Sequence, residues 1–302
     1  MTEPRGRIAW VFPGQGSQRV GMGRDLAVAD PEIAALYTRA DDLLGFNLST
    51  IIFDGPDEEL QLTPMQQPAI LVTCIAYLTA LRKQGTLPDA DFVAGHSLGE
   101  YAALVAAGAL NFDDAVRLVR RRGELMQDHG AGAMAAILGM APEDVAAVAQ
   151  DAGVEVANFN APDQTTISGR KEQIEAAMEL AKARGAKRAI LLPVSAAFHS
   201  SLMQPAEAAM RPLLAETRFT EARLPLIGNV DASLLSEPDD LRGELVTHIC
   251  RSVRWGDVVA TMRDSGVSTY YEIGPGKVLA GLIARCDPTA TVISGEKLLS
   301  GG

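Results

Sequence analysis

Apolar and polar positions along the chain fall into two successive rhythms. In the first, Ile8 to Phe12 is an unbroken Ile-Ala-Trp-Val-Phe run, the pattern of a strand buried on both faces. Helical spacing follows at Pro31 to Leu44, Gln66 to Lys83, Leu98 to Ala107 and Asp113 to Gln127. A further short apolar strand begins near Phe92 and runs into the helix at Leu98. Strands alternating with helices predict a mostly parallel sheet covered on both faces.

From about Gly132 the rhythm changes. Strands are predicted at Ala133 to Leu138, Val154 to Phe159, Gln164 to Ser168 and Lys187 to Pro193, with helices at Pro142 to Ala152 and Lys171 to Arg184. This βαββαβ order closes a small antiparallel sheet with both helices on one face, a ferredoxin-like unit. The expected organisation is a large α/β domain from 1–130 and 197–302, with 131–196 as an inserted ferredoxin-like subdomain. The chain returns through Val194-Ser195-Ala196-Ala197-Phe198-His199 and later supplies the strand Thr269 to Ile273 and the turn Gly274-Pro275-Gly276. A cleft between the two lobes is the expected active site.

The chemistry starts at Gly95-His-Ser97-Leu-Gly99, where the short strand turns sharply into an alanine-rich helix. Such a nucleophile elbow presents a serine Oγ to a cleft, and the flanking glycines are required where a Cβ would strike the neighbouring strand and helix. Ser97 is the candidate nucleophile. A serine hydroxyl needs an adjacent base, usually histidine, and the sequence has four histidines. His96 shares the turn with Ser97 and should point away from it, while His129 and His248 lie in helical stretches. His199, after the inserted unit and before Ser200-Ser201, is the candidate base. The acidic residues between the elbow and His199 belong mostly to the inserted unit, so a Ser-His dyad with the imidazole held by a backbone carbonyl is expected. That is adequate where the bond broken is a reactive thioester.

Arg122 is the only arginine of the cluster at 117, 120, 121 and 122 to fall on the apolar stripe of its helix. A core-facing guanidinium must meet an anion, either an internal Asp or Glu or a substrate carboxylate gripped in two parallel hydrogen bonds. Gly123 beside it, costly inside a helix, implies that something packs close. The Pro13-Gly-Gln-Gly-Ser-Gln18 loop at the end of the first strand would supply a backbone N–H which, with that of Leu98, forms an oxyanion hole. Each such donor is typically worth about 3 kcal/mol to the transition state.

Composition narrows the partners. The net charge of −11, without a basic stripe interleaved with aromatics, argues against nucleic acid. An acidic partner would have to dock on a local positive patch, for which Arg117, Arg120 and Arg121, or Lys187 and Arg188, are candidates. Cys74, Cys250 and Cys286 show no C-x-x-C spacing and lie in apolar sequence, so neither disulfides nor zinc are expected and a reducing, cytoplasmic setting follows. The N-terminal Met-Thr-Glu-Pro-Arg-Gly lacks the features of a secretory leader, and the apolar run Ala69 to Leu81 is too short and broken to span a bilayer.

Taken together, Phe12-Pro-Gly-Gln-Gly-Ser-Gln18, Gln67-Pro-Ala69, Gly95-His-Ser-Leu-Gly-Glu-Tyr101, Arg122-Gly-Glu-Leu-Met-Gln127, Asn158-Phe-Asn-Ala-Pro162, Ala197-Phe-His-Ser200 and Gly274-Pro-Gly-Lys-Val-Leu279 stand in an order that resembles the malonyl-CoA:acyl carrier protein transacylases, and also polyketide synthase acyltransferase domains. The resemblance runs nearly end to end. It implies a hydrolase-like large domain with a ferredoxin-like insert, and ping-pong transfer of malonyl from malonyl-CoA to the phosphopantetheine thiol of an acyl carrier protein, for fatty acid or polyketide synthesis, with no metal or cofactor; a monomer is expected. By motif, Ser97 would be acylated, His199 would take its proton, the N–H groups of Gln15 and Leu98 would hold the oxyanion, Arg122 would grip the free carboxylate, and Gln67 would line the pocket. Phe198 would crowd an α-methyl group, a discrimination of only about 1 to 3 kcal/mol.

Two positions depart from the resembled pattern. His248 stands where the family commonly has Gln and uses that residue's main-chain carbonyl to orient the catalytic histidine, so the role of an imidazole there is open. Ala196 replaces His or Gly. A thioester hydrolase and a non-catalytic module that binds carrier proteins are the rival readings, the first disfavoured by Arg122 and the missing triad acid, the second by the intact Ser97, His199 and Arg122.

Overall fold

The computed structural model describes residues 6–129, 131–194 and 196–299. Ser195 and the first five residues of the N-terminal stretch read above lie outside the described residues.

The strands are β1 (Arg7–Phe12), β2 (Phe92–Gly95), β3 (Ala133–Leu138), β4 (Glu155–Ala161), β5 (Gln164–Gly169), β6 (Arg188–Leu191), β7 (Leu226–Ile227), β8 (Leu234–Leu235), β9 (Val267–Glu272) and β10 (Thr291–Ser294). The helices are α1 (Arg24–Ala29), α2 (Pro31–Leu44), α3 (Leu48–Asp54), α4 (Asp57–Leu60), α5 (Thr63–Lys83), α6 (Gly99–Ala106), α7 (Phe112–His129), α8 (Pro142–Ala152), α9 (Lys171–Ala183), α10 (Gln204–Glu216), α11 (Pro238–Thr247), α12 (Trp255–Asp264), α13 (Val278–Cys286) and α14 (Gly295–Leu299).

The larger sheet has the order β10-β9-β1-β2-β7-β8. All its pairs are parallel except β7 with β8. Its central strand shows why: Ile8, Trp10 and Phe12 enter one hydrophobic core while Ala9 and Val11 enter the other. Side chains that alternate between two buried faces require helices on both sides of the sheet. α5 is buried along nearly its whole length and packs between the sheet and α7. The predicted start at Gln66 moves back to Thr63, because Pro64 sits in the first turn where its missing N–H costs nothing.

The smaller sheet has the order β4-β5-β3-β6 with every pair antiparallel. α8 and α9 cover one face, joining Val145, Val148, Ile174 and Ala177 to Ala135, Ile137 and Ile167 in a core of their own. Phe159 N–H donates to Val253 O at 2.9 Å and Val253 N–H to Ala157 O at 2.8 Å, so the segment between α11 and α12 runs as a partner of β4. That segment is where the site is built.

Candidate active site

β2 ends at Gly95 and α6 begins at Gly99, leaving three residues to reverse direction. A Cβ on Gly95 would lie 1.9 Å from the Gly99 carbonyl carbon, one on Gly99 2.1 Å from Phe12 O, and one on Gly14 2.4 Å from His96 O. Only glycines allow the elbow and the Pro13 to Gln18 loop to pack this tightly. Ser97 is forced to φ 51°, a left-handed conformation costing a non-glycine residue on the order of 1 to 3 kcal/mol. Asn229 holds it there. Its Oδ1 accepts from Ser97 N–H at 2.7 Å and its Nδ2 donates to Gly95 O at 2.7 Å.

His199 comes from the turn between the small sheet and α10 and is likewise left-handed, at φ 57°. Its Nε2 lies 2.8 Å from Ser97 Oγ. Its Nδ1 faces His248 O at 2.8 Å and Arg251 O at 3.1 Å. Two carbonyls accept only, so the hydrogen sits on Nδ1 and Nε2 is left as the acceptor for the serine proton. Burial, then the positive charge of Arg122, holds the imidazole well below the usual histidine range, the carbonyl at Nδ1 opposing.

Arg122 is wholly buried. Nη1 donates to Gln67 Oε1 at 2.9 Å, and Nη2 to Ser97 Oγ at 3.1 Å and to His248 Nε2 at 3.2 Å. Nε has no hydrogen-bond partner, and among the described residues no carboxylate pairs with the guanidinium directly. Gly123 is explained by packing: a Cβ there would lie 2.7 Å from Thr63 O, so α7 approaches the start of α5 closely enough for Gln67 to reach Arg122.

Behind the arginine lies a buried cluster. His248 caps the C-terminus of α11 and its Nδ1 lies 2.6 Å from Glu100 Oε2. Glu100 Oε1 accepts from Asn229 N–H at 2.8 Å, and Glu244 Oε1 from Val230 N–H at 2.9 Å. Burial pushes Glu244 up to about 9 and Glu100 up to about 8. The negative charge of Glu100, when ionised, adds to the rise at Glu244. Glu100 accepts from Asn229 and His248, and Glu244, the higher of the two, keeps its proton to the higher pH. One ligand atom from each of Glu100, Glu244 and His248 lies within 4.8 Å of the others, yet this set does not suit a metal ion, because His248 already bonds Glu100 and its other nitrogen faces a guanidinium.

The remaining predicted residues are placed around this centre. Leu98 is the buried N-cap residue of α6. Gln15 stands on the loop pressed against the elbow, its side chain donating to Gln66. Phe198 is buried beside His199. His96 points away from Ser97, its Nε2 2.8 Å from Asn160 Oδ1 on β4. Arg117 pairs with Asp114, and Arg120 and Arg121 share Glu124, all on their own helix. A cleft of about 480 Å³ is lined in part by Glu155, Ser201, Glu207, Arg211 and Arg251.

Sequence reasoning assigned no role to Asn229, Glu100 or Glu244. Glu100 had a signal, an acid one residue beyond an elbow glycine in an otherwise apolar helix; Asn229 and Glu244 had none that a single sequence reveals.

Residues 9–293 match the acyl transferase domain family. The chain belongs to that family. The malonyl CoA-acyl carrier protein transacylase of Bacillus subtilis is 47% identical over 92% of this chain and 90% of its own length, and that of Escherichia coli 43% identical over 94% of each. Among solved structures, a malonyl-transacylase in complex with the holo acyl carrier protein of a type II polyketide synthase superposes with a TM-score of 0.93 at 38% identity, over 98% of this chain and 100% of that one. In this acyl transferase the elbow, the α5 glutamine, the α7 arginine, the turn histidine and the carbonyls after α11 come from five separate segments. Each is anchored by backbone or buried contacts, so the site is preorganised.

Proposed function

We propose that the chain transfers a malonyl group from malonyl-CoA to the phosphopantetheine thiol of an acyl carrier protein, in the cytoplasm, for fatty acid or polyketide synthesis. The observation that carries this reading is a wholly buried guanidinium, unpaired with any carboxylate among the described residues, donating to the nucleophile's own oxygen at 3.1 Å. A cation in that place recognises the far end of a short diacid bound as a thioester.

In the first half-reaction Ser97 Oγ attacks the thioester carbonyl as its proton passes to His199 Nε2. The oxyanion is held by the N–H groups of Leu98 and Gln15. Collapse breaks the C–S bond, CoA leaves with the proton from His199, and a malonyl ester remains on Ser97. The carrier thiol then attacks the ester, giving its proton to His199 and releasing Ser97 by the reverse path. The carbonyls at Nδ1 fix the tautomer without adding a charge, which suits an exchange between two thioesters of similar energy. Phe198 beside the base crowds branched acyl groups.

Incubation with labelled malonyl-CoA and holo carrier protein should give a malonyl adduct on Ser97 that passes to the carrier. Arg122→Ala should lower kcat/KM for malonyl-CoA by about a hundredfold or more, the cost of removing one partner of a buried charge pair, while sparing acetyl-CoA. Undiminished preference for malonyl over acetyl, or CoA release that continues without acceptor, overturns the reading.

A further inference from the structure

The buried guanidinium meets a buried acid through an imidazole. Arg122 has only donors, so His248 Nε2, 3.2 Å from Nη2, must accept. The neutral ring therefore carries its hydrogen on Nδ1 and donates it to Glu100 Oε2 at 2.6 Å. Glu100 takes a further hydrogen bond from Asn229 N–H. The result is a guanidinium–imidazole–carboxyl chain, Arg122–His248–Glu100, in which all three residues are buried.

A ring between the two groups does something that direct contact would not. An arginine bonded straight to Glu100 would withdraw from Ser97 Oγ. The imidazole is a spacer: it gives Nη2 an acceptor while holding the guanidinium at the distance from which Nη2 reaches the serine.

We propose that the His248 side chain is a positioning residue for Arg122, holding the guanidinium against the acyl site and so setting the affinity for the free carboxylate of the donor. This rests on the malonyl-transfer reading above. It is separate from the role of the same residue's main-chain carbonyl at His199, which every substitution at 248 retains.

The test compares the wild-type enzyme with His248→Leu and His248→Gln, measuring kcat and KM with malonyl-CoA and with acetyl-CoA. H248L should raise KM for malonyl-CoA about tenfold or more, the loss expected when one hydrogen bond to a charged group goes, with a markedly smaller loss in acetyl transfer. H248Q, whose amide again accepts from Arg122 and donates to Glu100, should restore KM to within about threefold of wild type on the same reasoning. An unchanged KM in H248L, equal damage in both variants, or equal losses with both donors overturns the proposal. Nitrogen NMR of the wild-type imidazole gives a reading that does not depend on the variants folding: hydrogen on Nδ1 is expected, and hydrogen on Nε2 overturns it. Wild-type protein that yields no malonyl-carrier refutes the transfer reading instead, and leaves the tautomer result standing.

Discussion

At the scale of single residues, the two members of the dyad share a backbone property: both Ser97 and His199 sit at positive φ. For Ser97 the flanking glycines foretell it. For His199 nothing does, because its turn is imposed by the ends of two lobes rather than by local residue choice. That Ser97 and His199 meet was legible, since the elbow named the serine and elimination left one histidine outside a helix or the elbow. The tautomer and the network behind Arg122 were not, because they depend on carbonyls and acids far apart in the chain. The pH dependence follows from the imidazole's surroundings. His199 must be neutral to act as base, and burial with Arg122 nearby lowers its pKa well below 6.5. Acylation of Ser97 by malonyl-CoA should therefore hold constant from about pH 8 to about pH 6.5 and fall only as the pH drops well below that. A kcat/KM profile whose acid limb is centred near the unperturbed histidine value would contradict this.

At the scale of elements, helices with strong periodicity or Pro and Gly punctuation were read nearly to the residue: α2 and α8 have the expected bounds. The short strands β7 and β8 at one end of the large sheet, two residues each, escaped because so few residues carry no period. The contact that matters most for selectivity is between α5 and α7, where Gly123 faces Thr63 O and Pro64. Gly123→Ala should force the helices apart, lowering stability by about 1 to 3 kcal/mol and parting Gln67 from Arg122. Denaturant unfolding measures the first effect; a narrowed malonyl-to-acetyl ratio in the same variant measures the second. Loss of stability with an intact ratio would show that the interhelix spacing does not position the arginine.

At the scale of the whole molecule, the two sheets keep separate cores, and Glu244 sits beneath the site that both lobes frame. Its pKa is raised from 4.5 to about 9 by burial, and next by the neighbouring Glu100. A group that keeps its proton when folded and releases it when unfolded contributes stability that is full below pH 4.5 and is lost as the pH rises through about 9. The slope is at most about 1.4 kcal/mol per pH unit. Glu244→Gln, which mimics the protonated acid, should flatten the decline in melting temperature between about pH 7 and about pH 9 relative to wild type. An unaltered slope would show that Glu244 does not carry this linkage.

Val253, paired with β4, lies two residues after the carbonyl of Arg251 and five after that of His248, the two that aim the imidazole of His199. The base is thus bolted to the edge of the small sheet while the nucleophile rides on the large one. A hinge between the lobes would change the aim of proton transfer directly, so the strand pairing at 157–159 serves as the sight alignment of the enzyme.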